Sequence, residues 1–190
     1  MKSLHIIIGA PSGAGKTTIV GELLKHCPDH CFSVSATTRA KRGGEVDGVN
    51  YYFLDKKTFL KKKDNKEFAE WEEVYAGCFY GTLKKEIERI EEEGKKVIFD
   101  VDVNGAESLK DFFGKEATSI FIMPPSIKVL EERLKSRKTD SSKKIKERIA
   151  KARAEIRSSR FFDFVVVNDI LEDAVKECIE CIECIETFLD

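Results

Sequence analysis

The densest chemistry in the chain lies in Gly9-Ala10-Pro11-Ser12-Gly13-Ala14-Gly15-Lys16-Thr17-Thr18. Glycines let the backbone curl until several N–H groups converge on one anion. A lysine after the last glycine reaches the β- and γ-phosphates of a triphosphate, and the next threonine offers a hydroxyl to Mg²⁺. Ala10, Pro11, Ser12, Gly13, Ala14, Gly15, Lys16, Thr17 and Thr18 are therefore the expected ATP-type binding loop. Asp100, at the end of an apolar run, suits a second Mg²⁺ ligand, partly through water. The strict pattern has glycine where this chain has Ala10, and Gly9 is expected to supply the bend.

A second anion site follows. Ser35-Ala36-Thr37-Thr38-Arg39 leads to Arg42 and Gly43-Gly44-Glu45. Two guanidinium forks three residues apart suit a dianionic phosphate, which they grip bidentately. Tyr51 and Tyr80 can donate phenolic hydrogen bonds to the same group. Glu70, in a strand-like stretch beside Trp71, only accepts hydrogen bonds when ionised. Guanine presents N–H donors at N1 and N2, and adenine has neither. Glu70 with Asp102 thus favours guanine, with Ser35 and Thr82 completing the base contacts. Adenine in a closed site leaves the carboxylate unpaired, a fault worth roughly 10⁴-fold.

These groups need a frame. Leu4–Ile8 is short, β-branched and followed at once by glycine, the pattern of a buried parallel strand. Lys96–Asp102, Ser119–Met123 and Phe164–Val167 read the same way. Helical patterns separate them at Lys16–His26, Leu83–Glu93, Gly105–Phe113, Ser126–Arg137, Lys143–Ser158 and Glu172–Leu189. The alternation predicts an α/β fold with a central parallel sheet flanked by helices. Residues 34–82 break the rhythm with glycines, aromatics and strand-like pieces at Asn50–Leu54 and Phe68–Val74, predicting a small, mostly β insertion. Residues 126–157 are basic around the polar turn Lys138-Thr139-Asp140-Ser141-Ser142, predicting a projecting helical hairpin.

A length of 190 residues supports one well-cored domain, and a net charge of −1 provides no basic field for nucleic acid or anionic membrane. No run approaches the roughly 20 apolar residues of a membrane span. The six cysteines are unevenly spaced and no export signal is visible, so a reducing, cytoplasmic setting is expected. Cys178, Cys181 and Cys184 resemble iron–sulfur spacing, but the fourth cysteine and its proline are missing and the pattern is helical. Lys56 to Lys66 reads as a solvated helix face.

Taken in order, the chain resembles the guanylate kinases, the nucleoside monophosphate kinases that make GDP from GMP and ATP. The likeness rests on Ala10 to Lys16, Ser33-Val34-Ser35-Ala36-Thr37-Thr38-Arg39, Arg42 to Glu45, Tyr51, Glu67-Phe68-Ala69-Glu70-Trp71 and Tyr80-Gly81-Thr82. It continues through Asp100-Val101-Asp102, Asn104-Gly105, Pro124-Pro125-Ser126, Arg133-Leu134, Arg137 and Val167-Asn168-Asp169. The resemblance implies a phosphate-loop NTPase-type core (1–33, 83–125, 158–190), a GMP-binding insertion (34–82) and a helical lid (126–157). It implies that Ser35, Arg39, Arg42, Tyr51, Glu70, Tyr80, Thr82 and Asp102 bind GMP, and that Asn168 lies near the adenine of ATP. Lys16, Arg39, Arg137 and Arg148 are the expected catalytic residues, with Arg133 as a further transition-state cation. Arg133 and Arg137 lie four apart, on one helix face. They repel each other until a phosphate lies between them, so the lid is expected to close on ATP and exclude water. ATP, GMP or dGMP and Mg²⁺ are the expected small-molecule partners, with no obligatory protein partner. Asn104 stands where the family often has Gln, and Lys138 where it often has Gly or Asn. A catalytically dead, protein-binding relative is the competing reading, but the loop, Arg39, Arg42 and Glu70 are all present.

Overall fold

The computed structural model describes residues 5–75, 77–136 and 141–189. Its centre is a five-stranded parallel sheet in the order β2-β7-β1-β8-β9. These strands are β1 (His5–Gly9), β2 (His30–Phe32), β7 (Lys96–Val101), β8 (Ala117–Met123) and β9 (Phe164–Val167). β1 is buried along its whole length and divides its side chains between two helical layers. Ile6 and Ile8 meet Ile19 and Leu23 of α1 (Lys16–His26) and Val175 and Cys178 of α7 (Leu171–Leu189). Ile7 meets Ile87 and Ile90 of α3 (Lys84–Glu92) and Leu109 of α4 (Val103–Phe113) on the other face. A strand buried on both sides carries isoleucine at its three central positions, which explains the continuous apolar run.

Register places the chemistry. Gly9 pairs with Val101 on one side and Phe121 on the other, and Ile8 pairs with Asp100. The phosphate loop and Asp100 thus leave the sheet side by side at its carboxyl edge. Strand order reverses there, since β7 and β8 flank β1, and open α/β sheets bind ligands at that crevice.

Residues 34–82 carry a second sheet, ordered β4-β3-β6-β5, with α2 (Lys56–Asp64) against it. It comprises β3 (Ala36–Thr37), β4 (Tyr52–Phe53), β5 (Phe68–Tyr75) and β6 (Cys78–Leu83). β3 and β4 are parallel, and the other pairings are antiparallel. Its core is aromatic: the fully buried Phe59 of α2 stacks on Phe68 at 4.4 Å and lies 5.5 Å from Phe79. The lysines of α2 lie on the outside, and Asp55 caps the helix by accepting from the Thr58 N–H at 2.8 Å. Glu86 of α3 ties this sheet to the core, accepting from the Val34 N–H at 3.2 Å and the Tyr52 hydroxyl at 2.8 Å.

α5 (Ile127–Ser136) and α6 (Ser142–Ser158) pack through Leu130, Leu134, Ile145 and Ala152. Sequence reasoning misses β2, whose three residues are too short to show a period, and it misses β6 as a separate strand. It also runs β7 into Asp102. That residue caps α4 instead, its Oδ1 accepting from the Gly105 N–H at 3.0 Å. Among the described residues no helix is long and apolar enough to cross a membrane.

Candidate active site

The loop between β1 and α1 turns at Gly13 (φ 99°) and Gly15 (φ 96°), left-handed positions that glycine adopts without strain. Ala10 needs no such φ and is buried. Gly9 does not supply the bend expected of it: it is the last residue of a strand, and its small size serves packing. A Cβ there lands 2.5 Å from the Phe162 ring. Leu130 and Leu134 of α5 press on Gly13.

Lys16 heads α1, and its ammonium contacts the Val101 carbonyl and Asp100 Oδ1, the latter at 2.5 Å. The Thr17 hydroxyl donates to Asp100 Oδ2 at 3.1 Å. Lysine, threonine and aspartate thus form one knot at the carboxyl edge of the sheet. Behind the loop, the Ala14 carbonyl accepts from Asn168 Nδ2 at 2.7 Å and from Arg133 at 3.4 Å, and Arg133 also donates to the Asn168 carbonyl at 3.0 Å. Asn168 is buried. Both residues therefore act in this structure as braces of the loop. Arg148 of α6 reaches the front, donating to Ser12 Oγ at 3.2 Å. Arg137 and Lys138 lie outside the described residues.

A cavity of about 360 Å³ runs from this loop to the second sheet. Ser35, Tyr51, Glu70, Tyr80, Asp100, Asp102 and Arg148 line it together with loop residues Ala10 to Gly13 and Gly15 to Thr18. One volume therefore holds the Gly9–Thr18 loop at one end and the carboxylates of Glu70 and Asp102 at the other.

Glu70 is 7% exposed, and its Oε1 accepts from the Thr82 hydroxyl at 2.7 Å. Burial first, then the charges of Asp102 and Glu72, push its carboxyl up to about 7 against the Thr82 bond. Thr82 itself is fully buried and committed to Glu70, so it reaches a base only through that carboxylate. Two glycines make the approach possible. A Cβ on Gly81 meets Glu70 O at 2.8 Å, and one on Gly105 sits 3.4 Å from Glu70 Oε2.

Arg39 lies beside the tyrosines, its guanidinium 5.2 Å from the centre of the Tyr51 ring. Glu45 grips it bidentately at 2.9 and 2.7 Å and also accepts from the Arg42 N–H at 2.7 Å. These bonds hold the Glu45 carboxyl down at about 2. The Arg42 side chain is exposed. Tyr51 and Tyr80 pack edge to face at 6.0 Å, and burial raises both phenols above their ordinary values.

Sequence reasoning expected Arg148 but missed its neighbours. Arg148, Lys151 and Glu155 form one stripe of α6 along the cavity, and their spacing of three and four is the signal that marks it. Lys151 Nζ lies 3.6 Å from Asp102 Oδ2 and 3.4 Å from Glu155 Oε1. Burial raises the Glu155 carboxyl. Glu72 also lines the cavity, and its Oε2 accepts from Asn104 Nδ2 at 3.2 Å.

The guanylate kinase family model matches residues 2–184. The chain belongs to the guanylate kinase family. It is 51% identical over 174 residues to the guanylate kinase of Porphyromonas gingivalis, covering 90% of this chain and 92% of that one. It is 47% identical over 175 residues to the guanylate kinase of Bacteroides thetaiotaomicron, covering 92% and 86%. The crystal structure of guanylate kinase from Anaplasma phagocytophilum superposes with a TM-score of 0.77 at 30% identity, covering 96% of this chain and 85% of that chain. Phosphorylation of GMP by ATP is the known reaction of this family. The cavity brings the glycine-rich loop, the Glu70 and Asp102 carboxylates and the Arg148 and Lys151 cations together.

Proposed function

We propose that this chain transfers the γ-phosphoryl group of ATP to GMP, and more slowly to dGMP, giving ADP and the guanosine diphosphate. One observation carries the reading: the buried Glu70 and the phosphate loop face each other across a single cavity. The attacking atom is a phosphate oxygen of GMP, anionic at neutral pH, so no dedicated base is required. Catalysis is then positioning and charge neutralisation of an in-line displacement.

Lys16 and the loop N–H groups hold the β- and γ-phosphates. Arg39 and Arg42, ordered by Glu45, hold the acceptor phosphate with Tyr51 and Tyr80. Glu70 and Asp102 accept from N1–H and N2–H of guanine, with Ser35 beside them. Arg148 reaches the loop from α6 and neutralises the phosphoryl group in flight, together with Arg137. Arg133 and Asn168 fix the loop from behind. The hydroxyl of Thr17 and the carboxylate of Asp100 are hard oxygen donors 3.1 Å apart, a set that fits Mg²⁺. When bound, Mg²⁺ neutralises charge on the β- and γ-oxygens.

In this reading residues 34–82 bind the acceptor and 126–157 form the lid, with 1–33, 83–125 and 158–190 as the core. The six free thiols fit a reducing cytoplasm. A coupled ADP-release assay with GMP, dGMP, AMP, CMP and UMP tests the assignment. Turnover with GMP at least 10³-fold above AMP in kcat/KM is expected; equal rates with AMP overturn it.

A further inference from the structure

β5 and β6 set a ladder of paired side chains along the acceptor cavity. Glu70 stands opposite Thr82, and the next pair on that face is Glu72 opposite Tyr80. Two residues along a strand advance about 7 Å. Glu70 marks the base end. Tyr80, in ring contact with Tyr51 and hence with Arg39, marks the phosphate end. In any nucleotide the sugar lies between these two. Glu72 lines the cavity at that point and is half-buried.

Its orientation is fixed. Asn104, near the start of α4, donates to Glu72 Oε2 at 3.2 Å and holds that oxygen in place. Asp102, the guanine-edge carboxylate in this reading, adjoins Glu72: burial first and then Asp102 raise the Glu72 carboxyl, while the Asn104 bond and Lys151 oppose that rise. Glu72 therefore borders the N2 side of the base, next to the carbon that bears the 2′ substituent. A half-buried carboxylate oxygen facing a sugar is matched by a hydroxyl donor and left unpaired by hydrogen.

We propose that Glu72, oriented by Asn104, accepts a hydrogen bond from the ribose 2′-hydroxyl and so makes this enzyme prefer GMP over dGMP. The inference rests on the acceptor site described above. It deepens that site by naming the sugar-selecting residue.

The test is kcat/KM for GMP and for dGMP in the wild type, Glu72→Ala, Glu72→Gln and Asn104→Ala. The wild type is expected to favour GMP by roughly tenfold, the effect of one charge-assisted hydrogen bond. Glu72→Ala brings the ratio close to one. Glu72→Gln, which keeps the shape and a neutral acceptor, and Asn104→Ala, which frees the carboxylate, shift it in the same direction by about threefold. Equal losses with both substrates, or a ratio that no variant changes, overturn the proposal while leaving the GMP assignment standing. A wild type inactive with both nucleotides overturns the acceptor site itself.

Discussion

Glu70 meets two opposing demands. The proposed guanine recognition needs the carboxylate, whereas its burial favours the acid and moves the proton-release point from 4.5 to about 7. KM for GMP is therefore expected to rise about tenfold for each pH unit below 7. In Glu70→Gln that limb moves down to the second ionisation of the phosphate itself, near 6, and discrimination against AMP collapses. A steady-state pH profile of both proteins checks this. The stability effect has a defined sign. The unfolded chain releases this proton near 4.5 and the folded chain near 7, so stability falls as pH rises between those values. Above that window the folded state carries a penalty on the order of 3 kcal/mol at most. Denaturant unfolding at pH 5 and pH 8 should show Glu70→Gln gaining on the wild type only at the higher pH. Glu70 was singled out from acceptor chemistry alone, and the fold buries it at the cavity wall. The partner of Arg39 was not, because Glu45 becomes its neighbour only through the turn at Gly43-Gly44.

At the level of elements, the phosphate loop depends on β9 as much as on β1. Asn168 follows β9 and lies so close that a Cβ on Gly15 sits 2.3 Å from its amide nitrogen. Gly15→Ala also forces a left-handed φ on alanine, strain worth about 1–2 kcal/mol. This variant is expected to lose at least 100-fold in kcat and several degrees in Tm. In Gly15→Ala/Asn168→Ala the clash is gone and the strain remains, so Tm recovers in part while kcat stays low. A double-mutant cycle read by thermal melts and ADP release separates the two. The second sheet rests on Phe59, and Phe59→Ala should cost about 3–5 kcal/mol in denaturant unfolding. The main strands and helices were legible because each shows its own period over enough residues. β2 was not, having three residues, and neither was the brace formed by Arg133 and Asn168. Asn168 and Arg133 lie 35 residues apart, and only the packing of α5 on the loop brings them together.

Across the whole molecule, α6 is the element that sees both ends of the cavity. Arg148 touches the loop at Ser12 and Lys151 reaches Asp102 at the other end. In the proposed reading Arg137, outside the described residues, is a second cation for the transferring phosphoryl group. Arg137→Ala should lower kcat by 10²-fold or more with the dissociation constant for GMP changed less than threefold, as read by stopped-flow turnover and calorimetry. An unchanged kcat removes Arg137 from the transition state. Its basic composition and polar turn predicted a projecting hairpin, but the reach of α6 to Ser12 and Asp102 depends on its angle, which no local pattern encodes.

The knot of Lys16, Thr17 and Asp100 has a further consequence. An ammonium and a carboxylate that already neutralise each other at 2.5 Å are poor hosts for a lone anion or a lone cation, because either one strands the opposite charge. A nucleotide arriving together with its divalent ion offers each member a new counterpart at once. Entry is thus a double exchange of ionic partners, and the loop screens its visitors by stoichiometry. Inorganic phosphate, sulfate and metal-free ATP each bring half of the trade and are expected to bind more weakly than the metal–nucleotide pair.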